Sequence, residues 1–256
     1  MKKWIQEIIE NFIREYEQHT ETKWGSPIVG FADAKKLGEL KELVSPEHGM
    51  PQDMISDATV VIAYFVPFLK EMADTNKFEG LSSPEWAQAY EETNIMLTAI
   101  NEHIIGELKN KGYDAAMHHE AGRFNKEKLI SNWSQRHIAF EAGLGTFGMN
   151  NMLITEKGCC GRYSTVITNL DVTPDSPQVA ERCLYKSSGK CGACMKKCPK
   201  GALTPEGFDR HKCYEMCLEN AEVYTDFGSS YTTDDEEING SEVCGKCVAG
   251  MPCAFL

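Results

Sequence analysis

The sequence predicts an α/β (α+β) layer domain over residues 1–172, followed by a small cysteine-rich cluster module over residues 173–256. Three observations carry this. Helix-period and strand-period segments alternate through the first ~170 residues. A stretch at 171–178 with Pro174 and Pro177 then breaks the rhythm. Beyond it the long periodic segments vanish, and nine of the eleven cysteines lie after residue 182.

The elements follow in order. Residues 2–19 read as an amphipathic helix, because Ile5, Ile8, Ile9, Phe12, Ile13 and Tyr16 keep the i, i+3, i+4 spacing. Residues 27–32 are a short strand. Residues 57–67 are a stronger one, a continuous β-branched and aromatic run that calls for burial on both faces. Ser83-Pro84-Glu85 is a helix start, with Ser as N-cap and Pro in the first turn. That helix runs to about 111 and stops at Gly112. Residues 113–118 form a strand, 126–143 a helix, and 152–154 and 163–167 two further strands. Residues 171–178 are a linker or domain junction.

Bulk properties narrow the function. With 26 basic and 38 acidic residues the formal charge is −12. Such a chain repels phosphate backbones unless a local basic patch intervenes, which argues against tRNA as a partner. Part of the acidity is local: residues 213–243 hold Glu215, Glu219, Glu222, Asp226, Asp234, Asp235, Glu236, Glu237 and Glu242, with no Lys or Arg. Glu7 and Glu10 break the apolar start that would make a signal peptide. The longest apolar run, 59–68, is far short of the ~20 residues that span a bilayer. The expectation is a cytoplasmic protein without a membrane partner, in which eleven cysteines are unlike a disulfide set.

The first cysteine group reads Cys183-x7-Cys191-x2-Cys194-x3-Cys198-Pro199. Its Cys-x2-Cys-x3-Cys-Pro portion is the latter part of the bacterial ferredoxin run. The missing first cysteine falls at Ser188, and Cys183 is the natural substitute. The second group is Cys213, Cys217, Cys244-x2-Cys247 and Cys253. A four-iron cube needs four soft thiolates in a tight shell, and a two-residue gap lets two of them reach one cube from one loop. The cysteine before proline turns away toward the other cube. Cluster I is therefore assigned Cys183, Cys191, Cys194 and Cys253, and cluster II Cys198, Cys213, Cys244 and Cys247. Cys217 is left over and could replace Cys213. Lys190, Lys196, Lys197, Lys200 and Lys246 would offset cluster charge. The alternative is zinc, but two four-cysteine zinc sites use separated Cys-x2-Cys pairs rather than a three-cysteine run ending in Cys-Pro.

A module of that size leaves the first ~170 residues to use the electrons. The stretch 133–155, WSQRHIAFEAGLGTFGMNNMLIT, and the stretch 158–168, GCCGRYSTVIT, resemble the core of epoxyqueuosine reductases. They also resemble the corrinoid domain of reductive dehalogenases. The resemblance covers roughly residues 25–253. It implies a nitroreductase-like domain that holds cobalamin, a ferredoxin-like domain with two [4Fe–4S] clusters, and single-electron delivery between them. It also implies a cofactor surface of Ala142, Gly143, Leu144, Gly145, Thr146, Phe147, Gly148, Asn150 and Arg162. Glycines at 143, 145 and 148 would let a flat macrocycle approach the backbone; a helix C-cap followed by a tight turn is the plainer alternative. Those reductases place an Asp proton donor before this turn, whereas residues 128–132 here hold no carboxylate. No Asp-x-His-x-x-Gly is present, since the nearest match around His211 lacks the glycine, so the corrinoid is expected base-off.

Other groups are candidates of lower rank. His119 and His137 could donate a proton, while adjacent His118 and His119 on a strand would face opposite sides. Cys159 and Cys160 are buried small residues or reactive thiols. Arg136 and Arg162 could hold a cofactor edge or simply pair on the surface. The resulting expectation is a cobalamin-dependent iron–sulfur reductase fed by a low-potential ferredoxin or flavodoxin. Its substrate would be a small molecule or a modified nucleoside. The alternatives are a non-catalytic electron-transfer or corrinoid-reactivating protein, and an iron–sulfur sensor.

Overall fold

A computed structural model describes residues 1–118, 124–125, 127–229 and 240–256. The chain opens with helix α1 (Lys2–Tyr16), which buries Ile5, Ile9 and Ile13 and tightens into a 3₁₀ turn at Glu17–His19. Strand β1 (Ile28–Asp33), the short helix α2 (Leu40–Leu43), strand β2 (Val60–Pro67) and helix α3 (Lys70–Thr75) follow. Helix α4 (Pro84–Asn110) begins where its sequence says: the Ser83 hydroxyl accepts from Trp86 N–H, and Pro84 fills the first turn. Then come β3 (Ala115–Ala116), β4 (Phe124–Asn125), β5 (Ile130–Ser131), α5 (Gln135–Glu141), β6 (Gly145–Phe147), β7 (Leu153–Thr155) and β8 (Gly161–Thr168).

The main sheet has the order β1-β2-β8-β3, and every pairing is antiparallel. All eight residues of β2 are buried. Their alternation divides them between two cores. Val60, Ile62, Tyr64 and Val66 face α1 and α4, in a cluster with Ile5, Ile9, Met96 and Ile100. Val61, Ala63 and Phe65 face α5, with Ile138, Ala139 and Trp133. The fully apolar run in the sequence is thus a strand covered on both sides. A polar link through the first core is satisfied: Tyr64 Oη donates to Asn101 Oδ1 (2.7 Å), and Asn101 Nδ2 donates to Ser164 Oγ (2.8 Å).

Two expectations need correction. The strand expected at 113–118 pairs only at Ala115–Ala116. The helix expected over 126–143 is restricted to Gln135–Glu141, and Ile130–Ser131 before it is extended. The apolar spacing there has another cause. Trp133 is buried from a loop, its indole donating to Thr165 Oγ1 (2.9 Å) and its ring stacked on His118 and His48 (centroids 4.5 and 5.5 Å). The stretch 171–178 is irregular but held. Asp175 N donates to Phe31 O (2.8 Å), and its carboxylate accepts from Phe31 N (2.9 Å) and Lys2 Nζ (2.6 Å).

The cysteine-rich portion consists of α6 (Leu184–Ser188), α7 (Ala193–Lys197), the hairpin β9 (Leu203–Thr204) and β10 (Gly207–Phe208), and α8 (Arg210–Val223). It shares the first core. Leu203, Val243, Val248, Ala249, Met251 and Ala254 belong to the same buried cluster as Ile5 and Ile100. Its last residues run beside the segment before β8, with Cys159 N donating to Cys253 O (2.9 Å) and Cys160 N to Ala254 O (3.1 Å). Among the described residues no helix is long and apolar enough to cross a membrane.

Removing the Tyr64 hydroxyl strands a buried Asn101 oxygen. Tyr64→Phe should therefore lower the unfolding free energy by about 1–2 kcal/mol, read as a shift of the denaturation midpoint at unchanged m.

Candidate functional site

The first thiolate group is assembled from four short elements. Cys183 sits at the N-cap of α6, Cys191 in the turn before α7, Cys194 within α7 and Cys253 in the final segment. All four line one cavity of about 110 Å³, together with Asn150 and Leu184. The Cys194 thiol is pushed up to about 11, first by burial and then by the neighbouring Cys253, Cys183 and Cys191 sulfurs. Cys194 is thus a buried thiol beside three other sulfurs, and a set of this kind ionises together only if a cation replaces the protons, which is the behaviour of a metal-ligating set.

The second group gathers around α8 and the turn at 244–247. Burial pushes Cys244 up to about 11, with Cys213 and Cys198 adding to it. Cys247 is raised further, by burial and then by Cys244, Cys213, Cys198 and Cys194. The sulfur of Cys198 accepts from Ala202 N–H (3.2 Å). Cys213 and Cys217 are one turn apart on α8 and bond to each other. The Cys217 thiol donates, which holds Cys213 below the usual thiol range and Cys217 well above it. Cys213 is therefore the readier thiolate of the pair.

The turn at 244–247 is pinned by residues that carry no sequence signal. The Cys244 carbonyl accepts from Asn76 Nδ2 (2.8 Å) and Ser82 Oγ (2.9 Å). Lys246, 3% exposed, turns inward and donates to Asn76 Oδ1 (2.8 Å) and Phe78 O (2.9 Å).

The residues expected to carry a corrinoid behave otherwise. Gly143 ends α5 with φ +74°, and a Cβ there would lie 2.5 Å from Ser176 O. A Cβ on Gly145 would lie 2.2 Å from Ile154 O, across the β6–β7 hairpin. The missing side chains thus make room for the protein's own backbone. The cradle expected at these glycines is corrected to a helix C-cap and a tight hairpin. Ala142 and Leu144 are buried in the second core. Thr146 Oγ1 accepts from Arg182 N (3.0 Å) and bonds Glu181 Oε1 (3.3 Å), while the Phe147 ring lies against His137 (4.7 Å). Gly148 and Asn150 do line a cavity, but it is the one holding the first thiolate group.

Asn150 connects the two groups. Its Nδ2 reaches Cys247 O (3.2 Å) and Cys159 Sγ (3.5 Å), and Cys159 Sγ lies 3.8 Å from Cys253 Sγ. The Cys159 thiol donates to Cys253, lowering Cys253 and raising itself. Cys160 is buried and pushed up to about 12, chiefly by burial. The sequence reads both as buried small residues or reactive thiols; the contact of Cys159 with Cys253 joins positions 94 apart, which local spacing does not show.

The remaining candidates divide. His137 Nδ1 bonds Ser134 Oγ (2.7 Å), and burial followed by the Arg136 charge lowers it to about 4. The imidazole is neutral at pH 7, so it is not a standing acid. His119 lies outside the described residues. Arg136 Nη1 donates to Asn151 O (2.5 Å), and its charge reaches the second thiolate group, where it helps lower Cys213. Arg162 lies over the Tyr90 ring at 4.2 Å.

Comparison with known proteins gives a consistent direction. No protein-family model matches the chain. It is 37% identical over 91 residues to an epoxyqueuosine reductase of Francisella cf. novicida (strain Fx1), a match covering 34% of this chain and 24% of that protein. It is 34% identical over 122 residues to a tetrachloroethene reductive dehalogenase of Desulfitobacterium hafniense, covering 44% of this chain and 20% of that one. A selenomethionine-labelled epoxyqueuosine reductase crystal structure superposes with a TM-score of 0.52 at 19% identity, over 97% of this chain and 66% of that one. The matches thus span about a quarter or less of the two curated relatives.

Because its Cβ would strike backbone, Gly145→Ala should lower the thermal midpoint by roughly 5 °C, whether or not cobalamin is present. A midpoint unchanged by differential scanning calorimetry would restore the open-cradle reading.

Proposed function

We propose that this relative of the epoxyqueuosine reductases and reductive dehalogenases is an oxidoreductase holding two [4Fe–4S] clusters. The first uses Cys183, Cys191, Cys194 and Cys253, and the second Cys198, Cys213, Cys244 and Cys247. The observation that supports this most is that Cys183, Cys191, Cys194 and Cys253 line one common cavity. The second set is supported by the nearness of its sulfurs, since Cys213 and Cys198 raise Cys244 and, with Cys244, raise Cys247. When bound, the cubes supply low-potential one-electron transfer.

The chain's own residues then do three things. Asn76, Ser82 and Lys246 hold the 244–247 turn in place. The hydrogen bonds from Cys159 to Cys253 and from Ala202 N–H to Cys198 stabilise negative charge on ligand sulfur. Asn150 spans the gap between the two groups. The proposal follows the sequence in dividing the chain into a nitroreductase-like part (1–172) and a ferredoxin-like part (173–256). A base-off cobalamin is proposed as electron acceptor, with a small molecule or modified nucleoside as substrate and a low-potential ferredoxin or flavodoxin as donor. The cobalamin rests on the likeness to relatives. The turn at 143–148 does not fit it as a cradle, so no step is assigned through it. That misfit favours one second reading: an electron-transfer or corrinoid-reactivating protein without a substrate of its own.

Anaerobic reconstitution should load about eight irons and eight sulfides per chain. Cys198→Ser should damage the second cluster and spare the first, and Cys217→Ser should leave both. Four irons, or stoichiometric zinc without sulfide, would refute the two-cube assignment. Cobalamin titrated at micromolar concentration into the loaded protein separates the two readings: spectral binding supports the reductase, and no binding supports the carrier.

A further inference from the structure

We propose that the rim of the cavity lined by Cys183, Cys191, Cys194 and Cys253 is the docking face for an acidic protein electron carrier. The inference rests on the cluster reading above and adds where the donor binds and what charge it carries.

The chain is acidic overall, with a formal charge of −12, yet residues 182–205 contain six cations and no Asp or Glu. Lys200 pairs with Glu219 (2.5 Å), and Lys197 turns to the carbonyls of Lys77 and Ala249. Arg182 and Lys186 bond neutral groups, Arg182 donating to Gln178 Oε1 (2.9 Å), and so keep their charge at the rim together with Lys190 and Lys196. Arg182 lines the cavity itself. Lys186 reaches the Phe147 carbonyl (2.5 Å), beside cavity-lining Gly148. Lys190 is exposed and directly precedes Cys191, and Lys196 is exposed on α7. The nearest carboxylate in the chain, Glu181, is turned to the Cys183 N–H (2.7 Å) and Thr146 Oγ1 (3.3 Å).

The rim also has an apolar element. Leu184 lines the cavity and is 55% exposed, and Leu256 lines it at 63% exposure. Exposed apolar contacts ringed by like charges are the make-up of a small, transient interface. Against the acidity of the whole molecule these cations are a local exception, which attracts an acidic partner to this rim. The charge pattern therefore orients the carrier as well as attracting it, and it does so where the first thiolate group comes nearest the exposed rim. A nucleic-acid backbone would find the same cations, but it would gain nothing from Leu184 and must approach a strongly acidic molecule along its length.

The test uses the reconstituted wild-type protein and the triple variant Lys186→Gln/Lys190→Gln/Lys196→Gln. Both are reduced in stopped flow by an acidic two-cluster ferredoxin and, separately, by reduced methyl viologen, a small cation that needs no docking face. The wild-type rate with ferredoxin should fall about tenfold between low and high salt. The variant should be about tenfold slower at low salt and lose that dependence. Its iron content and its rate with viologen should stay within about twofold of wild type. Equal ferredoxin rates in both proteins would overturn the proposal. So would a parallel fall with viologen, which would place the defect in the cluster. Binding of an RNA stem–loop that the variant loses while ferredoxin reduction persists would reassign the rim to nucleic acid. Wild-type protein that takes up no iron and sulfide would defeat the cluster reading, and this one with it.

Discussion

Buried thiols cannot all ionise beside one another, and much of this structure follows from that repulsion. Each thiolate near another costs free energy in a low-dielectric interior, so protons stay on until a cation takes their place. Cys194, Cys244 and Cys247 are all held above the usual thiol range, chiefly by burial and then by neighbouring sulfurs. The scaffold must therefore hold the sulfurs in place without any help from attraction between them. It does this with groups that are not cysteines: amide and hydroxyl donors on the Cys244 carbonyl, an inward-turned Lys246, and backbone pairing between 159–160 and 253–254.

The same requirement explains why the cysteine-rich portion is not a detachable appendage. A short chain rich in loops has little core of its own. Here Leu203, Val248, Met251 and Ala254 enter the core built on α1, β2 and α4. The linker-like stretch at 171–178 contributes as well, through Asp175 on the edge of β1. Position along the sequence suggested two units, whereas the packing gives them one continuous interior.

What was legible in the sequence depended on range. The N-cap of α4 and the doubly buried β2 rest on local spacing, and each appears in the structure where the spacing put it. The helix drawn through 126–143 failed because Trp133 looks like part of a helical face, while its burial comes from partners at positions 48, 118 and 165. The glycines of the turn after α5 were read as room for a ligand. Glycine marks close approach equally well when the approaching group is the chain's own carbonyl, and only the β6–β7 pairing decides which. Asn76 and Ser82 carry no signal as site residues because nothing in their spacing ties them to a cysteine far along the chain, and Asn150, expected on a corrinoid surface, bonds Cys247 and Cys159 instead.

On the cluster reading, the surroundings of the two thiolate groups push the potential of each cube in one direction. Reduction adds negative charge to a cube, so donors and cations near its sulfurs favour the reduced state and raise its potential. The first group receives a neutral thiol hydrogen bond, from Cys159 to Cys253. The second receives a backbone N–H at Cys198, a thiol at Cys213, and the charge of Arg136, whose guanidinium is anchored on Asn151. A full positive charge outweighs a thiol dipole at similar range, since it acts without regard to orientation. The direction is then shared by both groups, because Arg182 lines the cavity of the first and Lys190 directly precedes Cys191. Asn150 lies between them, donating to Cys247 O and lining the cavity of the first group.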